Sequence, residues 1–465
     1  MERGVILWLY IIACIIGVAN ILTHYRKVKR IDGFLCFNIA YTIYYFIMPL
    51  MNIVIINLGI YQVGSFTDII NRAYDISLLK GFLISIVAYS VFCIIYSVAQ
   101  PYSKTKVNSY AELIDTTNNQ KQYKIVITFG WIALLLGASS EMIIISSFGG
   151  IVNAISMAEI LRAYGADRSQ FMSQNLLFVN ILATISLVAP FAFLFARRIK
   201  SNSLNFLLLA VSLLCSVFYL LFFAGKLPVL LFVICFIADY IYRKHRHPTF
   251  ILSCCAVGLL PTLSGLDKLF FYISYGTIKD SSTNWVTSLV NEFSFPYCNL
   301  INAQYINELF GYRYGMDYFT WIINIVPTAI LRIFGLSKVN SSFEFISKFY
   351  DPTGVTMGGV PTDFLTMGYR QFNIIGIFFQ VVIVAVICSL LDNILKYLNP
   401  DKYMFLIVRI SLIMFVIIPY NDLDSFVRNR FDMIMVVLIA FAVTRIYVKK
   451  DSRISNEYVN KRIDH

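Results

Sequence analysis

The sequence predicts an all-α bundle of about eleven membrane-crossing helices, with residues 1–465 forming one integral membrane domain. Composition is the first reason. Hydrophobic residues make up 58% of the chain and charged residues 14%, and the mean hydropathy is +0.71. A soluble domain carries roughly 45–50% apolar residues and about 25% charge. Spacing is the second. The apolar excess comes in blocks of about twenty residues, the length a helix needs to cross the hydrocarbon core. The third is charge. Twenty-two of the 38 Lys and Arg residues fall in alternate connections between blocks, the asymmetry that orients a multi-pass protein. A net charge of +12 spread in this way reports topology rather than nucleic-acid binding.

Taken in order, the predicted spans are 5–23, 32–59, 79–98, 125–147, 174–196, 203–223, 227–243, 249–272, 372–394, 402–419 and 431–448. The first lacks a small-residue cleavage site and reads as a retained span. The second is long and carries Pro49, which predicts tilt or a kink. The basic connections include Arg26 to Arg30, Arg197 to Lys200, Arg243 to Arg246 and the tail, residues 449–465. The C-terminus is therefore expected on the cytoplasmic side and the N-terminus on the periplasmic side.

Connections on the other side are short at 60–78, 148–173, 224–226 and 420–430. Residues 273–371, between spans eight and nine, form one large extracytoplasmic loop. A loop this long with apolar pieces of its own is usually functional. Its stretch from Asp317 to Gly335 is interrupted by Pro327, so it reads as interfacial or re-entrant rather than as a span. Ser341-Ser342-Phe343-Glu344 is a capping-box pattern, and Pro361-Thr362-Asp363 reads as a helix start leading into span nine.

The chemistry must come from few residue types. Phosphate-binding loops, dinucleotide fingerprints and nucleophile elbows are absent from the sequence. The nine cysteines lie mostly inside apolar blocks and outline neither a disulfide framework nor a zinc site. All four histidines, His24, His245, His247 and His465, fall on the basic side. A base on the other side must then be a carboxylate or a tyrosine. The carboxylates there are Glu344, Asp351, Asp363, Asp422 and Asp424. Glu344 also serves a capping box, and Asp363 also suits a helix N-terminus. Basic residues on that side are isolated beside glycine and aromatic residues: Arg162 and Arg168, Lys226 in the turn between spans six and seven, Arg313, Arg332, Arg370, Arg428 and Arg430. Guanidinium groups pair with phosphate and carboxylate, although at helix ends they also snorkel or meet lipid headgroups. Two charges fall inside spans, Glu141 and Arg409.

Three local patterns carry a resemblance. They are Phe148-Gly149-Gly150 leading to Arg162 and Arg168, the hairpin Phe223-Ala224-Gly225-Lys226, and the run from Gly311-Tyr312-Arg313-Tyr314-Gly315 through Pro327 and Arg332 to Gly359-Val360-Pro361-Thr362-Asp363 and Tyr369-Arg370-Gln371-Phe372. Together with the layout they resemble the bacterial oligosaccharide repeat-unit polymerases (O-antigen polymerases, Wzy type). Lys226 stands where related proteins often have arginine.

The resemblance implies a bacterial inner-membrane bundle similar to GT-C glycosyltransferases. That enzyme would transfer a growing glycan from undecaprenyl pyrophosphate onto a new lipid-linked repeat unit at the periplasmic face. It implies no nucleotide sugar, cofactor, metal or nucleic acid. The implied partners are the lipid-linked oligosaccharide, membrane lipids and a chain-length regulator in the same membrane. Within that reading Asp363 or Glu344 is the expected base, and the basic residues named above bind substrate. The alternatives are an O-antigen ligase, which is expected to need a loop histidine, a lipid-linked oligosaccharide flippase or other transporter, and an assembly protein without chemistry.

Overall fold

In the computed structural model the chain is described over residues 3–100, 116–156, 174–222, 225–244, 248–259, 262–275, 285–352 and 359–446. These residues form helices joined by turns, with no strand among them. Seven helices are long and apolar enough to cross a membrane: Arg3–Val28, Gly33–Asn57, Asp75–Ala99, Gln120–Ser147, Phe178–Ile199, Ser203–Leu221 and Phe364–Lys396. The chain is thus a helical multi-pass membrane protein by its architecture. Three further expected spans fall on the helices Lys226–Lys244, Pro400–Val416 and 431–446. The stretch predicted at 249–272 falls on two shorter helices, Pro248–Leu259 and Thr262–Tyr275.

The second helix shows how sequence sets local form. Proline at position 49 has no N–H and its ring crowds the carbonyl four residues earlier. The backbone accommodates this with a π-helical turn over Ile43–Ile47, after which Met48–Asn57 resumes as α-helix. The wider turn brings Tyr45 to a fully buried position inside the bundle.

Charges inside the bundle are paired or enclosed. Arg409 does not snorkel; it is buried in an ion pair with Asp432. Glu141 is buried beside Ser186 and makes no ion pair with an arginine among the described residues. At the basic end, Asp392 accepts from the backbone N–H groups of Gly33 and Phe34 and from the Tyr96 hydroxyl, satisfying the N-terminus of the second helix.

The large loop is itself helical. It contains Trp285–Phe293, Phe295–Phe310, Thr320–Ile325, Thr328–Ile333 and Ser342–Tyr350. The helix Phe364–Lys396 holds two non-helical residues, Phe372 (φ −144°, ψ 35°) and Asn373 (φ 59°, ψ −142°). There the chain reverses. A Cβ built on Gly376 would lie 2.0 Å from the Gly368 carbonyl oxygen, although a straight helix would hold these residues about 12 Å apart. Residues 364–371 are therefore a short re-entrant helix folded back against the span that begins after Asn373. The two glycines allow backbone to touch backbone.

Candidate functional site

The site is built on that re-entrant helix. Asp363 is its N-cap: its Oδ2 accepts from the N–H groups of Leu365 (3.2 Å) and Thr366 (3.1 Å). The Tyr45 hydroxyl also donates to Oδ2, at 2.5 Å. Arg370 lies seven residues on, which is two helical turns, so it shares the face of Asp363 about 10 Å away. Both side chains are fully buried.

The helix Phe295–Phe310 lies alongside in the same direction. Its Asn299 amide donates to the Pro361 carbonyl at 2.9 Å, and its Asn307 amide donates to the Tyr369 carbonyl at 3.2 Å. Asn307 Oδ1 also accepts from Arg370 at 2.7 Å. Eight residues separate the two asparagines, as eight separate Pro361 from Tyr369, which keeps the two segments in register. Ser294, Phe295 and Pro296 set the start of this helix, with proline in its first turn where no N–H partner is needed.

Four oxygens at the Asp363 end are thinly matched: Asp363 Oδ1, Asn299 Oδ1, Thr362 Oγ1 and Thr366 Oγ1 make no close hydrogen bond, and the Asn299 and Thr366 side chains are turned toward the Asp363 carboxyl. All four are buried. Burial pushes the Asp363 carboxyl up to about 6, against the opposing pull of Thr366, Tyr45 and Asn299. Buried polar atoms are nearly always fully satisfied, so a buried polar cluster this thinly bonded marks a place suited to a polar ligand.

The Arg370 end is a connected polar core. Asp317 is fully buried and accepts from Arg313 (3.1 Å), the Ser342 hydroxyl (2.6 Å) and the Gln371 amide (2.7 Å). Arg370 donates to Ser342 Oγ at 3.2 Å, while its Nη2 has no hydrogen bond. The guanidinium groups of Arg313 and Arg370 both lie over the Phe345 ring, at 5.1 and 5.5 Å. Asp422 caps the helix Leu423–Asn429 and also accepts from the Phe343 N–H at 2.9 Å. Burial, then the negative charge of Asp317, pushes its carboxyl up to about 7. Burial also raises Asp424.

All but two of the expected site residues have a described place. Asp363 and Arg370 share one helix face, and Arg313 meets Arg370 over Phe345. Glu344 closes the capping box with Ser341 and lies 3.5 Å from Arg428, which also pairs with Asp424. Lys226 forms an ion pair with Glu292 at 3.0 Å, just ahead of the helix Phe295–Phe310. Arg332 is exposed at the end of its short helix. Arg430 is buried beyond Arg428 and donates to the Asn429 carbonyl at 3.2 Å. Arg162 and Arg168 lie outside the described residues. Sequence reasoning missed Tyr45, Asn299, Asn307, Asp317, Ser342 and Gln371. The eight-residue spacing of Asn299 and Asn307 was the one available signal. No group of three or more His, Cys, Asp or Glu side chains placed to hold a metal ion occurs among the described residues.

Compared with protein-family models, curated proteins and solved structures, the chain matches none.

Proposed function

We propose that this protein is a lipid-linked glycosyltransferase that polymerises oligosaccharide repeat units at the periplasmic face of a bacterial inner membrane. The observation that carries the reading is the buried Asp363 carboxyl, ringed by the Asn299, Thr362 and Thr366 side chains, on the same helix face as Arg370. Asp363 takes the proton of the acceptor sugar hydroxyl as that oxygen bonds the anomeric carbon of the growing glycan. The anomeric carbon–oxygen bond to undecaprenyl pyrophosphate breaks, and the pyrophosphate leaves with the electron pair. Its developing charge calls for cations. Arg313 and Arg370 fill that role best, because they converge over one ring. Arg428, Arg430, Lys226, Arg162, Arg168 and Arg332 remain candidates for holding lipid-linked substrate.

Glu344 is the weaker base, because its carboxylate already serves Ser341 and Arg428. Asp363 is enclosed, so the loop helices must open to admit glycan and close to exclude water. The proposal keeps the eleven-span, GT-C-like topology with a periplasmic N-terminus and cytoplasmic C-terminus, and a chain-length regulator as partner. A ligase is disfavoured because the one histidine among the described residues, His24, pairs with Asp32 at the basic end.

The test is the surface polysaccharide of a strain lacking the gene, resolved on a gel, with wild-type or Asp363→Asn protein supplied back. Collapse of the ladder to a single repeat unit, restored by wild type and not by Asp363→Asn, supports polymerisation. Loss of every repeat unit points to a ligase or flippase, and an unchanged ladder removes the polysaccharide reading.

A further inference from the structure

One part of the loop presents apolar side chains outward at a level where the bundle is itself apolar. Phe319 is 64% exposed, Ile333 79% and Phe334 72%, and Ile322, Ile330 and Leu336 are exposed beside them. A contiguous apolar surface of this kind marks an interaction site. What covers it follows from its height on the bundle. The Tyr318 hydroxyl donates to Gln380 Oε1 at 2.6 Å. Gln380 lies seven residues beyond the reversal at Asn373, about 10 Å along a helix rising 1.5 Å per residue. That helix holds the most apolar stretch among the seven long ones, and it exposes Phe379 beside Gln380 and Ile375 about one turn nearer the reversal. The helices Thr320–Ile325 and Thr328–Ile333 thus set out from the buried side of that helix, where Gln380 also bonds Asn421, close to the height of its exposed apolar side chains.

Their inner side is polar and fixed. Thr320 and Asn324, four residues apart on one face, are buried. Asn324 bonds the backbone of Val339 in both directions (2.9 and 3.1 Å), and Lys338 Nζ donates to the carbonyls of Asn324 and Val326. The inner face therefore satisfies the backbone freed at Val326-Pro327, and the outer face is left apolar. This is the division expected of an interfacial amphipathic element. The exposed Arg332 suits the headgroup layer.

We propose that residues 319–336 form a wedge inserted into the bilayer leaflet at the end of the bundle opposite its basic end, held from within by Lys338 and Asn324. The inference is independent of the glycosyltransferase reading. It gives the polar core a lipid-side support, because Asp317, which joins Arg313, Ser342 and Gln371, immediately precedes Tyr318.

The experiment places Ile333→Trp and Phe334→Trp, separately, in the full-length protein in lipid nanodiscs. The added emission over the parent protein is then read against lipids brominated at defined acyl positions and against aqueous iodide. The expected result is loss of that emission with shallow-brominated lipid and little loss with iodide. Quenching by iodide without quenching by any brominated lipid overturns the wedge. Oxidative footprinting of the unaltered protein in nanodiscs gives a second reading that needs no variant. Protected Phe319 and Phe334 support insertion, and oxidation of both contradicts it.

Discussion

Gly376→Ala tests the helix reversal and its importance to the site together. A Cβ at 376 would sit 2.0 Å from the Gly368 carbonyl oxygen and 3.0 Å from its carbon. Ordinary contact begins at 3.4 Å, so the re-entrant helix must move off the span by about 1.4 Å. Both contacting atoms are backbone, and no side-chain rotation relieves them. Overpacking of this kind costs about 1–3 kcal/mol. Because Asp363 and Arg370 ride on the displaced helix, a shift of this size should also lower the transfer rate roughly a hundred-fold, the usual effect of misplacing a reacting group by about 1 Å. The assays are the melting temperature in nanodiscs and elongation of a lipid-linked repeat unit. Gly4→Ala is the control, since nothing lies within 4 Å of the added carbon. The sign of the result is decisive. In a continuous straight helix Gly376→Ala would stabilise by about 1 kcal/mol through helix propensity. A higher melting temperature with full activity refutes the reversal.

Three further outcomes follow from the same geometry. Asn373, at φ 59° and ψ −142°, holds a conformation that suits glycine and costs other residues about 1–3 kcal/mol; Asn373→Gly should raise the melting temperature and Asn373→Val lower it. Burial raises the Asp422 carboxyl from 3.8 to about 7, so the folded protein keeps a proton that the unfolded chain loses. Stability should therefore fall as pH rises from about 4 to about 7 and level off above that; Asp363 and Asp424 act in the same direction, and Asp422→Asn should flatten the profile of melting temperature against pH. Arg409→Leu leaves Asp432 buried without its partner, which should cost about 3–5 kcal/mol. The double variant with Asp432→Leu should recover most of that loss in the same melting assay.

The legible part of the fold was the part written in local chemistry. Apolar blocks marked the long helices, Ser341 with Glu344 marked a capping box, and Pro361-Thr362-Asp363 marked a helix start, because each signal lies within a few residues. The reversal at Phe372-Asn373 was hidden. Its two glycines sit eight residues apart in what reads as ordinary span and span entry, and their meaning appears only when the chain folds back. The helix Phe295–Phe310 falls inside the stretch expected as one loop because, at 16 residues interrupted by Asn299, Asn302, Gln304, Asn307 and Glu308, it is too short and polar to stand out as a span. Tyr45 lies more than three hundred positions from Asp363, and no local pattern announces such a pairing. Arg370 was singled out as a residue on the outer rim, whereas the structure encloses it against Asn307, Ser342 and Phe345. Residue type singled out the side chain, and only packing revealed its surroundings.

The most direct test of the proposed chemistry uses purified protein in nanodiscs with a synthetic repeat unit on undecaprenyl pyrophosphate, without nucleotide sugar or ion gradient, followed by mass spectrometry of the products. The account predicts glycans lengthened by whole repeat units with release of undecaprenyl pyrophosphate, and loss of both in Asp363→Asn and Arg370→Ala variants that still melt as folded proteins. Elongation undiminished in both folded variants would contradict the Asp363–Arg370 site, and a folded wild-type protein that leaves the repeat unit unchanged would contradict the polymerase reading itself.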